Sequence, residues 1–123
     1  MVLALAVAAA LGALARYMVD VAVQRRRSPI WPLGTLAVNL SGSFVLGFVV
    51  GLGLYHGLGD PVRTVAGTGF VGAYTTFSTF SYETIHLLQD GAYRPALLNV
   101  TLSTAGGLAA ATVGLALAGT LPA

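Results

Sequence analysis

The stretch Gly67-Thr68-Gly69-Phe70-Val71-Gly72-Ala73-Tyr74-Thr75-Thr76-Phe77-Ser78-Thr79-Phe80-Ser81 decides how this chain folds. It sits inside an apolar segment running approximately from Val62 to Leu88, long enough to cross a hydrocarbon core about 30 Å thick as a helix. Three glycines lead into a run of β-branched and hydroxyl residues, whose side chains bond back to preceding carbonyls and weaken helix continuity. A helix broken within a membrane exposes amides and carbonyls that protein, water or an ion must satisfy. Channels and transporters use such breaks as ion sites; a harmless kink is the plainer alternative.

Working outward, three further stretches reach spanning length: about Val2 to Val23, Leu33 to Tyr55 and Pro95 to Leu117. Their punctuation is clear: Arg25-Arg26-Arg27-Ser28-Pro29, then His56-Gly57-Leu58-Gly59-Asp60-Pro61, then Gln89-Asp90-Gly91. Connections are short, so consecutive helices are expected to be antiparallel neighbours. The expected architecture is an all-α integral membrane protein, one domain over residues 1–123, with helices at 2–23, 33–55, 62–88 and 95–117 and the third broken near the bilayer midplane. Composition agrees. The hydrophobic fraction is 56% and the charged fraction 8%, against roughly 25% charged in soluble domains. Met1 to Leu14 lacks the positive n-region of a secretory signal and runs on into a full span, so it is expected to be a retained first helix. Six arginines, no lysine and a net charge of +2 are too few and too scattered for a nucleic-acid footprint. The absence of cysteine excludes disulfides and thiolate metal sites.

The arginines are asymmetric. Arg25, Arg26, Arg27 and Arg94 lie at one end and Arg63 at the other, which by charge bias places the first end in the cytoplasm. On the second span Ser43, Gly47 and Gly51 recur every four residues, a small-xxx-small stripe that admits a second backbone. Spacing alone leaves open whether that backbone belongs to the same subunit or to a dimer partner.

Polar groups within spans are functional candidates by default. Asn39 serves either as interhelical hydrogen-bond glue or as an amide donor to a permeating anion. Arg16 and Asp20 stand four apart on the first span, as a plain ion pair or with Arg16 snorkelling into an anion-attracting vestibule. Glu83 is a proton carrier, a hydrogen-bond anchor or a residue near the aqueous end of the third span. His56 and His86 have no second ligand at metal spacing, and both are expected at interfaces. If helix resumes after the break, Phe77, Phe80, Ser81 and Thr84 share a face, and the positive edge of a phenyl ring suits a small anion. Asn99 and Ser103 align on the fourth span, as a second row of donors or as ordinary packing.

With these residues in place, the chain resembles the Fluc/CrcB fluoride channel family. The resemblance is carried by Gly12-Ala13-Leu14-Ala15-Arg16-Tyr17, by Gly34-Thr35-Leu36-Ala37-Val38-Asn39 with Gly42-Ser43-Phe44, and above all by Gly69 to Glu83. It implies an antiparallel, dual-topology dimer with two fluoride pores and a structural sodium ion at the two-fold axis. By position it implies that Gly72 and Thr75 offer backbone carbonyls to sodium, that Phe77 and Phe80 line the pore, that Asn39 donates its amide, and that Ser103, with Ser81 and Glu83, borders the path. The family often carries tyrosine where this chain has Asn99, and a hydroxyl where it has Gly107, so the hydroxyl track is thinner here.

The expected function is passive, fluoride-selective export from the cytoplasm across a bacterial or archaeal plasma (inner) membrane, relieving fluoride toxicity. No covalent step is implied, and no nucleophile–base pair is present to run one. The expected partners are fluoride, the lipid bilayer and a second copy of the chain; the arginine asymmetry keeps a paired subunit of fixed opposite orientation open. The rival reading is a proton-coupled exporter, either a fluoride–proton antiporter or of the small multidrug type. Small multidrug exporters rely on a glutamate in helix one, where this chain has none.

Overall fold

The computed structural model describes residues 1–26 and 32–122; Arg27, Ser28 and Pro29 of the expected charged turn lie outside the described residues. All regular structure among the described residues is helical. Helix α1 spans Val2–Arg26 and α2 Leu33–His56; α3, Asp60–Arg63, runs into a π-helical stretch Thr64–Val71 and then α4, Gly72–Tyr74; α5 is Ser78–Gln89 and α6 Tyr93–Gly119. Three helices (α1, α2 and α6) are long and apolar enough to cross a membrane. The third crossing comes in two pieces, Asp60 to Tyr74 and Ser78 to Gln89, separated by Thr75–Phe77. At 1.5 Å per residue the pieces measure about 22 and 18 Å, together enough to traverse the bilayer.

The surface is that of a protein solvated by lipid. Leu3, Leu97 and Leu108 are each about two-thirds or more exposed, and α1 and α6 are studded with further exposed aliphatics. The protein is a multi-pass membrane protein.

Helices in lipid gain little from hydrophobic association and approach through small residues. A Cβ on Gly47 would collide with the Ala111 carbonyl oxygen, and one on Gly114 with the Phe44 carbonyl oxygen; at Gly51 it would lie 2.6 Å from the Ala118 Cβ. The stripe on α2 therefore closes onto α6 of the same chain, which settles the two readings left open by spacing. On the other side of the molecule Gly12 takes the carbonyl of Phe70, and Gly69 sits against Ala8 and Leu5 of α1. The chain thus has two glycine-mediated seams, α2 with α6 and α1 with the π-helical stretch. Helix α2 ends at Gly57, in the left-handed region (φ 68°), whose N–H closes the last turn on the Leu52 carbonyl.

His56 Nε2 lies 2.8 Å from the Ala118 carbonyl oxygen, tying the end of α2 to that of α6. His86 pairs with Asp90 at 3.7 Å and stacks on Tyr82. Among the described residues no cluster of three side chains able to hold a metal occurs.

Candidate functional site: the interrupted third crossing

Helix α4 ends because the chain turns extended at Thr75 (φ −82°, ψ 161°). The Thr75 N–H still reaches the Val71 carbonyl at 2.9 Å, and its hydroxyl donates to the same oxygen at 3.0 Å. One residue on, the ladder is diverted. The Thr76 N–H donates to Asn39 Oδ1 at 2.8 Å, and Asn39 Nδ2 donates to the Thr76 carbonyl at 2.8 Å. A single side-chain amide on α2 thus pairs both backbone groups of Thr76 as a neighbouring strand would. The pairing fixes which end of the amide is which, since N–H must meet oxygen on both sides.

Helix α5 then restarts with its own cap. The Thr76 hydroxyl accepts the Thr79 N–H at 3.2 Å and donates its own proton to the Thr79 hydroxyl oxygen at 3.0 Å. This is the side-chain capping by which threonine satisfies an orphan amide at a helix start. With the amides of Thr75 and Thr76 both engaged elsewhere, the Gly72 carbonyl has no donor from the turn ahead of it. Gly72 is itself exposed.

The two phenylalanines flank the restart. Phe77 is 79% exposed and its ring centre lies 5.8 Å from that of Phe80, inclined at 48°. Such a pair presents ring edges as well as faces to one side of α5. Ser81 donates its hydroxyl to the Phe77 carbonyl at 2.9 Å, so its proton is directed into its own helix. Thr84 likewise donates to Phe80, at 2.8 Å, and receives Asn99 Nδ2 at 2.9 Å. Asn99 is fully buried and its Oδ1 has no partner. Ser103 is half-buried and has no hydrogen bond; its hydroxyl is free to turn.

Glu83 Oε1 accepts the Thr35 hydroxyl at 2.8 Å, while Oε2 is buried without a partner. The tie favours the anchor among the readings of Glu83. Thr35 was not singled out from the sequence, though a signal existed: it stands four residues before Asn39, so both point from one face of α2 at the third crossing. Gly42 continues that face, with the Thr75 methyl against it.

Arg16 and Asp20 do not pair. Arg16 Nη1 lies 3.5 Å from the Thr75 carbonyl oxygen, a long contact, and Asp20 packs against Gly34, where no Cβ would fit. Among the described residues Asp60 pairs with Arg63, and Asp90 has His86 Nε2 beside it at 3.7 Å. The reason is spatial. The break brings a carbonyl with a spare lone pair within reach of the guanidinium, and the (i, i+4) spacing takes no account of it.

Two cavities meet at this point. One, of about 250 Å³, is lined by Asn39, Ser43, Leu46, Thr75, Thr76 and Phe77 among others. The second, of about 200 Å³, includes Arg16, Asp20, Thr35, Thr76 and Thr79. Thr76, held by Asn39, is the wall they share.

A multi-pass membrane protein with an interrupted crossing latched by side chains, and cavities that polar side chains help to line on both sides of the break, has the build of a small ion-conducting protein. Comparison places it further. Residues 3–115 match the family of the CrcB-like protein, Camphor Resistance (CrcB), and the chain belongs to that family. It is 52% identical over 119 residues to "Fluoride-specific ion channel FluC 1" of Leifsonia xyli subsp. xyli, covering 96% of this chain and 86% of the relative. It is 53% identical over 100 residues to a protein of the same name from Nocardia farcinica (81% and 68% covered), and 47% identical over 110 residues to "Fluoride-specific ion channel FluC 2" of Moorella thermoacetica (89% of each).

Proposed function

We propose that this chain is a fluoride-selective channel, conducting passively across the plasma membrane and exporting fluoride from the cytoplasm. The relatives' names support the ion, and no enzymatic step is called for. The observation that carries the reading is the exposed Phe77 ring beside Phe80, on a restart of helix held by Asn39. Fluoride holds its water tightly, so a selective path must offer fixed donors and ring edges in place of hydration while binding at each point weakly enough for release. Phe77 and Phe80 supply edges. Ser103 has a hydroxyl proton to give. Asn39 retains one of its two amide protons after meeting Thr76, and that proton is its remaining contribution to an anion.

The working unit in this reading is an antiparallel dimer, which an exposed Gly72 and Phe77 on the single chain would suit. Gly72 also fits the role of a structural sodium ligand, because the residue is exposed and its carbonyl has no donor from the following turn. Thr75 fits less simply: its carbonyl faces the Arg16 guanidinium at 3.5 Å, so a cation there would share that oxygen or displace the contact. One chain offers two such oxygens, and a two-fold mate would offer two more.

The test is electrical. In liposomes containing only this chain, a fluoride gradient should set the membrane potential at the fluoride Nernst value, unchanged between pH 6 and pH 8. Proton movement coupled to each fluoride would instead make the protein an exporter, with Glu83 as carrier. Efflux from vesicles holding this chain alone also tests the homodimer against an obligatory second subunit.

A further inference from the structure

The break ends one helix before it begins the next, and last turns fray unless something holds them. On its far side Asn39 grips Thr76. On its near side lies α4, Gly72–Tyr74, the last turn of the first half of the crossing. The Thr75 hydroxyl closes onto the Val71 carbonyl, but that bond stays within the same turn and ties it to no neighbour. Tyr74 supplies the tie. It is buried, and its ring stacks on Phe70 with centres 5.9 Å apart and planes 15° from parallel. A Cβ on Gly42 of α2 would lie 3.1 Å from Tyr74 Cδ1, so the ring takes the space that the glycine leaves.

The Tyr74 hydroxyl reaches Ser41 Oγ at 2.8 Å, and the direction of the bond follows from the protons available. Ser41 has one, and gives it to the Ala37 carbonyl at 2.7 Å, with that of Val38 at 3.1 Å. Ser41 therefore accepts and Tyr74 donates. Ser41 is the ninth of 24 residues in α2, about 12 Å along the helix and inside the hydrocarbon core, where a hydroxyl without an acceptor is unfavourable. Two residues of α2 thus hold two of the third crossing in reverse order, Asn39 with Thr76 and Ser41 with Tyr74, as antiparallel neighbours do. At about 100° per residue, Gly42 falls between Asn39 and Ser41 around the helix. The break is seated on that glycine and gripped from both flanks, with Thr75 the one residue between the grips.

We propose that Tyr74 is a positioning residue of the break. With Ser41 as its acceptor it fixes the end of α4, and so the direction in which the chain leaves through Thr75 toward Phe77. Its effect on conduction rests on the fluoride-channel reading; the grip itself does not. The two partners are unequal. Removing the Tyr74 hydroxyl leaves Ser41 bonded within its own helix, whereas removing the Ser41 hydroxyl strands the phenol proton. Loss of the acceptor is therefore the more damaging change, and loss of both groups the milder one.

Fluoride efflux from liposomes is measured for Tyr74→Phe, Ser41→Ala and the double variant. Expected are falls of about threefold for Tyr74→Phe and about tenfold for Ser41→Ala, with the double variant returning to the level of Tyr74→Phe. A double variant that loses efflux by the product of the two single factors overturns the proposal, because the residues then act independently. So does parent efflux in both single variants. A second readout separates positioning from general stability and does not need conduction: backbone amide exchange of the full chain in maltoside micelles. Exchange at Thr75 and Thr76 should quicken about fivefold in Tyr74→Phe, with the amides of α6 unchanged. Such local quickening supports the grip even if the parent passes no fluoride, which would refute the channel reading alone. Quickening spread evenly over all helices, or none at the break, overturns the grip.

Discussion

Helix α2 presents two faces that are built on opposite plans. Toward α6 it offers Gly47 and Gly51, and the two backbones touch because side chains are missing. Toward the third crossing it offers Thr35 and Asn39, and the partner backbone stays open because side chains are present to hold it. The first seam depends mainly on close packing, with the His56–Ala118 contact at its end, as lipid supplies no hydrophobic force between helices. The second depends on a handful of hydrogen bonds, in surroundings where an unmet backbone group is costly. The seam is a platform; the break is where the proposed ion-handling groups lie.

The comparison yields predictions that separate stability from conduction. The largest effect is expected on the platform. Gly47→Leu drives a side chain into the Ala111 carbonyl, overpacking by on the order of 3 kcal/mol or more; size-exclusion chromatography in detergent should show no monodisperse protein. A well-folded variant would mean the α2–α6 seam can slide. Next comes the latch. Asn39→Leu removes two hydrogen bonds and strands both backbone groups of Thr76, a loss of about 2 kcal/mol in membrane surroundings, and fluoride efflux should fall roughly tenfold or more. Asn39→Asp keeps the acceptor for the Thr76 N–H but faces the Thr76 carbonyl with a second oxygen, so it should rescue little. Full rescue would show that the amide donor is dispensable.

Smaller is the tie from α2 to α5. Thr35→Val leaves both Glu83 oxygens without a partner and should lower the melting temperature in detergent, by the equivalent of about 1 kcal/mol. A stability equal to the parent would show that water replaces the hydroxyl. Smallest is Ser81→Ala. Its hydroxyl is bound within its own turn, so stability should move by less than about 0.5 kcal/mol and efflux should be unchanged. Reduced efflux would mean the Ser81 hydroxyl turns toward the ion.

Much of this was legible in the sequence because it follows from local composition. Glycines before a threonine–serine run announce a weak point in a helix, and α1, α2 and α6 are plain from length and apolarity. What local pattern missed depends on which atoms the fold brings near. Arg16 and Asp20 have ideal spacing for a pair, yet the Thr75 carbonyl captures the guanidinium and Gly34 the aspartate's neighbourhood. The stripe Ser43-Gly47-Gly51 announces a close backbone without saying whose, and only the position of α6 answers. The π-helical turn at Thr64–Val71 left no periodicity to read, since it shifts hydrogen-bond partners by one residue while the side chains remain apolar. Asn39 was visible as an anomaly, but a buried amide looks the same in sequence whether it will meet an ion or a backbone; here it meets both groups of Thr76 and keeps one proton.

The account turns on the claim that the latched break positions Phe77 and Phe80 to pass fluoride, and the most direct measurement is electrode-detected efflux from liposomes for Phe77→Ile and Phe80→Ile. Phe77 is largely exposed and each change keeps an apolar side chain, so both variants should elute and melt close to the parent while efflux is abolished. Efflux at the parent rate from either well-folded variant would contradict the claim and take that ring out of the path.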